Sequence, residues 1–376
     1  MKEYDLIVIG MGPGGMAVTA MAANMELDVL AIEKHKVGGE CLNYGCIPSK
    51  ALLKAGEMNE VTDNLEKYGI ELLGRTEVDN PLEIVQEKLE KISGGKTMKA
   101  FERAELILDE GEAKFVDQNT VEVGGEKYTS DNIFIATGTK PFVPPIPGIE
   151  DVPKLNNLNL FTQDEVPDEL MIIGGGAIGS EMAQAFSRLE SDITIVQIDD
   201  HLIPAGDAEA GKLLEEVFVE EGISVYNNTG IDKVEEKDGK IYTHTEAGTF
   251  TSDKILVATG RKPVLKPLQL ENAGVKYDES GIEVNQRMET NINGIYAVGD
   301  CNGHSLFSHS AMHQGMIALM NAMNPLPFKK FNRDDFVTPW SVFTKPEVAQ
   351  AGLTEKEAQE KGINYQVVKE NYEDYG

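Results

Sequence analysis

The chain begins with a short apolar run, Tyr4 to Ile9, which is too brief for a helix and reads as a buried strand. After the glycine-rich stretch Gly10 to Gly15 come small residues at Ala17, Ala20 and Ala23, a spacing that suits a helix lying close against a sheet. A second apolar run, Leu27 to Ile32, ends on the acidic Glu33. From Lys54 to about Lys99 the pattern is helical and charged, with breaks near Gly69, Pro81 and Gly94-Gly95. Ala104 to Tyr128 reads as short strands with turns at Gly111 and Gly124-Gly125. A buried strand from Ile133 then ends in Ala136-Thr137-Gly138, and the proline-rich run Pro141 to Pro153 reads as a linker.

The layout then repeats. Leu170 to Ile173 predicts a strand, Gly174 to Gly179 a second glycine turn, Ser180 to Leu189 a helix and Ile193 to Ile198 the next strand. Ile255 to Pro263 echoes Ile133 to Pro141, Ala-Thr-Gly included. A further strand, Ile295 to Val298, ends in Gly299-Asp300 and places a carboxylate at the sheet edge where ligands bind. The composition shifts at Phe331, and Phe336 to Leu353 begins another domain.

Each glycine turn carries a chemical expectation. Gly10, Gly12 and Gly15 fit G-x-G-x-x-G, the strand-to-helix turn that lets a pyrophosphate approach backbone N–H groups, and Glu33 stands where an acidic side chain grips a ribose. Gly174, Gly176 and Gly179 repeat the motif, with Gln197 at the position equivalent to Glu33. Gln can accept from a ribose hydroxyl, Asp199 and Asp200 follow, and no Arg or Lys stands ready for a 2′-phosphate. That predicts NAD rather than NADP. Two copies imply two dinucleotides, one resident and one exchanging.

Composition narrows the classes. A length of 376 residues suggests two or three domains. A net charge of −29 argues against nucleic-acid and anionic-membrane partners. Three cysteines cannot form a disulfide scaffold, so a reducing compartment is expected. The N-terminus has no cleavable signal pattern, and no apolar run reaches the roughly 18 residues of a membrane span. The expectation is a soluble cytoplasmic protein.

Two of the cysteines, Cys41 and Cys46, lie in GGECLNYGCIPSKALL, residues 38–53. A disulfide across so short a loop needs a tight fold-back, which Gly45 at positive φ would allow. Ser49 is a candidate cap for the helix that follows. A thiol just ahead of that N-terminus meets the positive end of the helix dipole, and Lys50 adds to the field, which points to a redox-active dithiol. The alternatives are two buried cysteines that happen to be close, or zinc, for which only the distant Cys301 could add a further thiolate. His309 and His313, four apart on a predicted helix, lack a third ligand, and no metal is expected.

GMGPGG, GGECLNYGCIPSKALL, both Ala-Thr-Gly strands, GGGAIGSE, GIYAVGD and FTKPEVAQAGLTE, in this order, resemble the pyridine nucleotide–disulfide oxidoreductases. The resemblance spans essentially the whole chain. It implies an α/β fold with two Rossmann-like domains, one inserted in the other, plus the start of an α+β interface domain. The implied boundaries are 1–152 and 275–332 for FAD binding, 153–274 for NAD binding and 333–376 for the interface. It implies FAD on Gly10, Gly12, Pro13, Gly14, Gly15, Glu33, Gly39, Glu40, Cys41 and Lys50. Ala113, Ala136, Thr137, Gly138, Gly299, Asp300 and Leu306, Phe307, Ser308 and His309 complete that site. NAD would lie on Gly174, Gly176, Ala177, Ile178, Gly179, Glu181, Gln197, Val234, Gly260 and Arg261.

In the same resemblance Cys46 contacts the flavin as a thiolate, Cys41 exchanges with a substrate disulfide, and Lys50 pairs with Glu181 near the flavin. Pro48-Ser49-Lys50 is similar to the dihydrolipoyl dehydrogenase and mercuric reductase branches. The implied function is electron transfer between NAD and a dithiol, such as a small dihydrolipoyl compound or a lipoyl-carrying protein, in a homodimer. The alternatives are reduction of metals or other disulfides, or a flavin-binding electron carrier or interaction protein without dithiol turnover. The chain departs from the pattern at Glu40, where the family usually has Thr, and at Gln197, where its NAD-specific members usually have Glu. No His lies between Phe331 and Gly376, so either the family's C-terminal His-x-x-x-x-Glu pair lies beyond this point or the protein does not use that base.

Overall fold

A computed structural model describes residues 2–71, 78–93, 96–324, 326 and 330–371. The apolar runs become two parallel five-stranded sheets. The first holds, edge to edge, Ile295–Ala297, Ile133–Ile135, Leu6–Ile9, Val29–Glu33 and Glu105–Leu108. The second holds Lys154–Leu155, Lys254–Val257, Glu169–Ile173, Asp192–Val196 and Ser224–Tyr226. The strands are continuous apolar runs because both faces are covered. Leu6 and Val8 enter one core while Ile7 and Ile9 enter another. In the second sheet Leu170 and Ile172 separate from Met171 and Ile173 in the same way.

Each half carries a small, largely antiparallel sheet ahead of its Ala-Thr-Gly strand. Lys114–Phe115, Thr120–Val123 and Glu126–Thr129 serve the first half, Ile231–Lys237, Lys240–Thr245 and Gly248–Ser252 the second. The strand Ile295–Ala297 returns to the first sheet beside Ile133–Ile135, so the second sheet is inserted within the first. Where the chain passes between the halves, Thr139–Pro141 and Arg261–Pro263 run antiparallel, with Pro141 opposite Arg261.

Two expectations are corrected. The run Pro141 to Pro153 is not a free linker: Ile149 and Val152 are buried in the second half's core against Val196, Val234 and Ile255. Its prolines shape a packed crossing. The strand expected to reach Ile198 stops at Val196, and Ile198 is 78% exposed where the chain turns out of the sheet. The break at Gly94-Gly95 lies outside the described residues. Beyond Arg333 the strands Trp340–Val342 and Val348–Gln350 pair, and the helix Glu355–Glu360 starts from a capping box between Thr354 and Glu357.

Phe134, fully buried in a central strand, stacks on Tyr296 with ring centroids 4.8 Å apart. Phe134→Ala is expected to cost about 3–5 kcal/mol, seen as a lower urea midpoint for loss of the first half. An unchanged midpoint refutes this view of the core.

Candidate active site

The dithiol loop folds as two consecutive helices. Gly38 and Gly39 take the left-handed region at φ 98° and 57° and start the helix Gly39–Tyr44, which carries Cys41. Gly39 passes so close to the first glycine turn that a β-carbon on it would stand 2.7 Å from Gly12 Cα. Cys46 is the first residue of the 18-residue helix Cys46–Asp63. The helix therefore starts ahead of Ser49, its candidate cap. Ser49 is not its cap, lying inside the first turn with its hydroxyl 3.4 Å from Cys46 O. Gly45 sits at φ −135°, not in the left-handed region; there glycine spares a contact with Glu40 O.

Cys41 and Cys46 are unbonded thiols with their sulfurs 2.7 Å apart. The Cys41 thiol donates to Cys46, which lowers Cys46 to about 6 against the opposing effect of burial; the Ser308 hydroxyl and the Lys50 ammonium add to the lowering. Cys41 is pushed far up by the same hydrogen bond and by burial. The hydrogen bond between them thus favours the proton on Cys41 and the charge on Cys46. Cys301 is fully buried, and burial pushes its thiol up to about 12.

One turn along the helix, Lys50 Nζ lies 2.6 and 2.8 Å from the two oxygens of Glu181, a buried residue of the helix Ala177–Ser187. The Phe343 ring covers the ammonium at 4.6 Å, and Phe343 N–H donates to Glu181 Oε1 at 3.1 Å. Phe343 was not expected here; its segment stood out only as part of a motif. Gln184 fixes that segment, donating to Lys345 O at 2.8 Å and accepting from Lys345 N at 2.7 Å.

A cleft of about 930 Å³ runs from the first glycine turn to the dithiol. Gly10, Gly12, Pro13 and Gly14 line it with Glu33, Gly39, Glu40 and Cys41. Ala113, Ala136, Thr137, Gly138, Gly299, Asp300 and Ser308 complete the expected residues on its walls, and Arg261, expected with the NAD residues, lines this cleft instead. Glu33 is held with one oxygen on Met11 N at 2.8 Å and the other on His35 N at 2.9 Å. The turn, the bare N-terminus of the helix Pro13–Asn24 and this carboxylate fit a dinucleotide. Burial pushes the Asp300 carboxyl up, opposed by Arg261 and by the Thr139 hydroxyl at 3.2 Å.

Glu40 acquires a physical account. Its carboxylate pairs with Arg261 and accepts from Asn157 Nδ2 at 2.9 Å. Arg261 also donates to Thr139 Oγ1 at 2.7 Å. The extra negative charge is thus neutralised by a residue of the second half. Thr139 and Asn157 carried no signal in the sequence, because only the fold brings them beside Glu40.

The remaining expected residues are placed elsewhere. Gly15 packs beneath the turn against Gly10 O. Leu306 is exposed, Phe307 stacks on Trp340, and His309 bonds Pro339 O at 2.6 Å. His313 packs edge-on against Phe336. At the second turn, Gly174, Gly176, Ala177, Ile178, Gly179 and Glu181 form the turn and opening of the helix Ala177–Ser187. Gln197 accepts from Gly175 N at 3.0 Å, as Glu33 does from Met11 N, and donates to Asn227 at 2.6 Å. Gly260 takes φ 120° at the second Ala-Thr-Gly turn. Val234 is buried in the core, with its N–H on Pro147 O.

Two Rossmann-like halves, with a dithiol at the mouth of one and an ion pair reaching it from the other, define a flavoprotein disulfide oxidoreductase. Residues 4–317 match the family described as pyridine nucleotide-disulphide oxidoreductase, and residues 338–376 its dimerisation domain. The chain belongs to that family. It is 39% identical to a dihydrolipoyl dehydrogenase of Thermus scotoductus, over 98% of this chain and 80% of that protein. A mercuric reductase of Staphylococcus aureus is 34% identical over 96% of this chain and 67% of its own length. The HOCl-induced flavoprotein disulfide reductase RclA of Escherichia coli superposes with a TM-score of 0.85 at 27% identity, covering 97% of this chain and 81% of that one.

A β-carbon at Gly15 would overlap Gly10 O, and one at Gly179 would overlap Gly174 O, both rigid backbone. Gly15→Ala is expected to lower the flavin content of the purified protein. Gly179→Ala is expected to spare the flavin but weaken nicotinamide-nucleotide binding by tenfold or more, measured by equilibrium titration. Equal effects of the two changes on flavin content would refute separate sites.

Proposed function

We propose that the protein passes electron pairs between NAD and a dithiol or disulfide substrate through FAD and the Cys41–Cys46 pair, as a dihydrolipoyl dehydrogenase does. The observation that carries this reading is Cys41 lining one cleft with the first glycine turn, with the Cys46 sulfur 2.7 Å from it at the N-terminus of the helix that carries Lys50. FAD would be held by the first turn, Glu33, Thr137-Gly138 and Asp300, and supplies two-electron chemistry between nicotinamide and sulfur. The division 1–152, 153–274, 275–332 and 333–376 is part of the proposal, as is a homodimer through the last segment. No helix among the described residues is long and apolar enough to cross a membrane.

With the cysteines oxidised, a substrate thiolate attacks Cys41 Sγ. The Cys41–Cys46 bond breaks, a substrate–Cys41 disulfide forms, and Cys46 leaves as a thiolate. The second substrate thiol, giving up its proton, attacks the substrate sulfur of that mixed disulfide. The substrate leaves as a disulfide and Cys41 takes a proton. A leaving thiol of low pKa leaves faster, which suits Cys46 to depart and Cys41 to be attacked. Lys50, held by Glu181, keeps a positive charge beside the thiolate.

A second reading, reduction of a metal ion or another disulfide, is supported by the likeness to mercuric reductase and RclA. Turnover of dihydrolipoamide with NAD, compared with Hg(II) or Cu(II) reduction by NADH, separates the two. Dihydrolipoamide should be the better substrate, and Cys41→Ala or Cys46→Ala should lower its oxidation by more than about 10³. Either variant oxidising it at the parent rate sinks the proposal.

Nucleotide choice follows from Gln197 and the exposed Asp199 and Asp200. A 2′-phosphate there would be unpaired, so NADH should reduce the flavin about tenfold or more faster than NADPH. Stopped-flow traces with NADPH ahead would reverse the assignment.

A further inference from the structure

The helix Ser308–Met323 belongs to the strand-to-helix return after Asp300, and Ser308 was expected only as a wall of the dinucleotide cleft. Its hydroxyl lies 3.3 Å from Cys46 Sγ, within reach of a hydrogen bond to sulfur. Ser308 is the first residue of that 16-residue helix, as Cys46 is the first residue of its own 18-residue helix. Neither N-terminus has a side-chain cap. Two helices thus bring their positive ends to one sulfur, and only Ser308 adds a hydroxyl donor from the second.

We propose that Ser308 is a catalytic residue of the exchange reaction, donating its O–H to the Cys46 thiolate and holding that sulfur ionised. This rests on reading Cys41 and Cys46 as the exchanging pair. When two electrons and one proton convert the disulfide to Cys41-SH and Cys46-S⁻, the new charge appears on the sulfur that Ser308 faces. The hydroxyl stabilises the dithiol form and, in the reverse direction, the departing thiolate.

The other groups around the sulfur do not replace it. Cys41, on the Gly39–Tyr44 helix, donates its S–H only while that thiol is protonated. Lys50, on the same helix as Cys46, has its ammonium bound to Glu181. Glu40, beside Cys41, is paired with Arg261, and the His309 ring is turned to Pro339 O. Ser308 is the donor among them that does not titrate with the dithiol, so its contribution persists at every pH where the thiolate exists.

The test is the pH profile of iodoacetamide alkylation at Cys46 in the reduced, flavin-loaded parent protein with Cys41 in place, with tandem mass spectrometry locating the label on Cys46 rather than Cys41. Below the midpoint Cys46 is a thiol and above it a thiolate, so loss of a donor to the thiolate moves the midpoint up. Ser308→Thr keeps the hydroxyl and Ser308→Val has the same bulk without it, which separates the hydrogen bond from packing. The parent should titrate below the ordinary cysteine value of about 8.5. Ser308→Val should titrate about one pH unit higher than Ser308→Thr. Equal midpoints for Thr and Val overturn the assignment to Ser308, even if the parent midpoint is low. A parent midpoint at the ordinary value removes the resident thiolate itself, and with it both this proposal and the reading it rests on.

Discussion

The site depends on helix N-termini left without side-chain caps. Five helices open onto it, beginning at Pro13, Gly39, Cys46, Ala177 and Ser308, and each is preceded by glycine or by Phe307. Their first N–H groups have no partner within the helix. An anion, whether phosphate or thiolate, is what such ends attract. The helix Glu355–Glu360, away from the site, has a full capping box instead. The difference lies in the residue before the first turn: Gly12, Gly45 and Gly176 have no side chain with which to satisfy the helix, whereas Thr354 does.

The two halves are built alike down to single hydrogen bonds. Met11 N reaches Glu33 and Gly175 N reaches Gln197 over the same separation of 22 residues. The chemistry diverges at the far side of those groups. Glu33 spends its second oxygen on His35 N, whereas Gln197 gives its amide to Asn227, which in turn donates to Glu215 at 2.6 Å. One half therefore presents a carboxylate and the other an amide tied into a side-chain chain.

Charge also joins the parts of the protein at the dithiol. Glu40 and Lys50, on the two helices of the redox loop, find their partners Arg261 and Glu181 in the second half. Phe343, from the last segment, lies over Lys50 and bonds Glu181. Such partly buried pairs add little net stability, since desolvation offsets much of their attraction. Their consequence is geometric: movement of the second half or of the last segment changes the surroundings of Cys46.

The glycine turns, the repeated strand–helix–strand order and the cysteine pair were legible in the sequence, because each rests on local rules: backbone approach at glycine, apolar runs for doubly covered strands, and spacing across a tight loop. The packed crossing between Pro141 and Pro153 was not, since proline content reports turns but not what the turns bury. The start of the dithiol helix at Cys46 was missed because Ser49 is a good cap by composition, while the chain entered the helix through Gly45. The carboxylate at Glu40 had no meaning until Arg261, 221 residues away, was brought beside it. Ser308 at Cys46, 262 residues apart, is of the same kind. Sequence alone determined which groups can carry the chemistry; the tertiary structure decided which charges and donors face one another, because hydrogen bonds and ion pairs depend on distance in space and leave no periodicity along the chain.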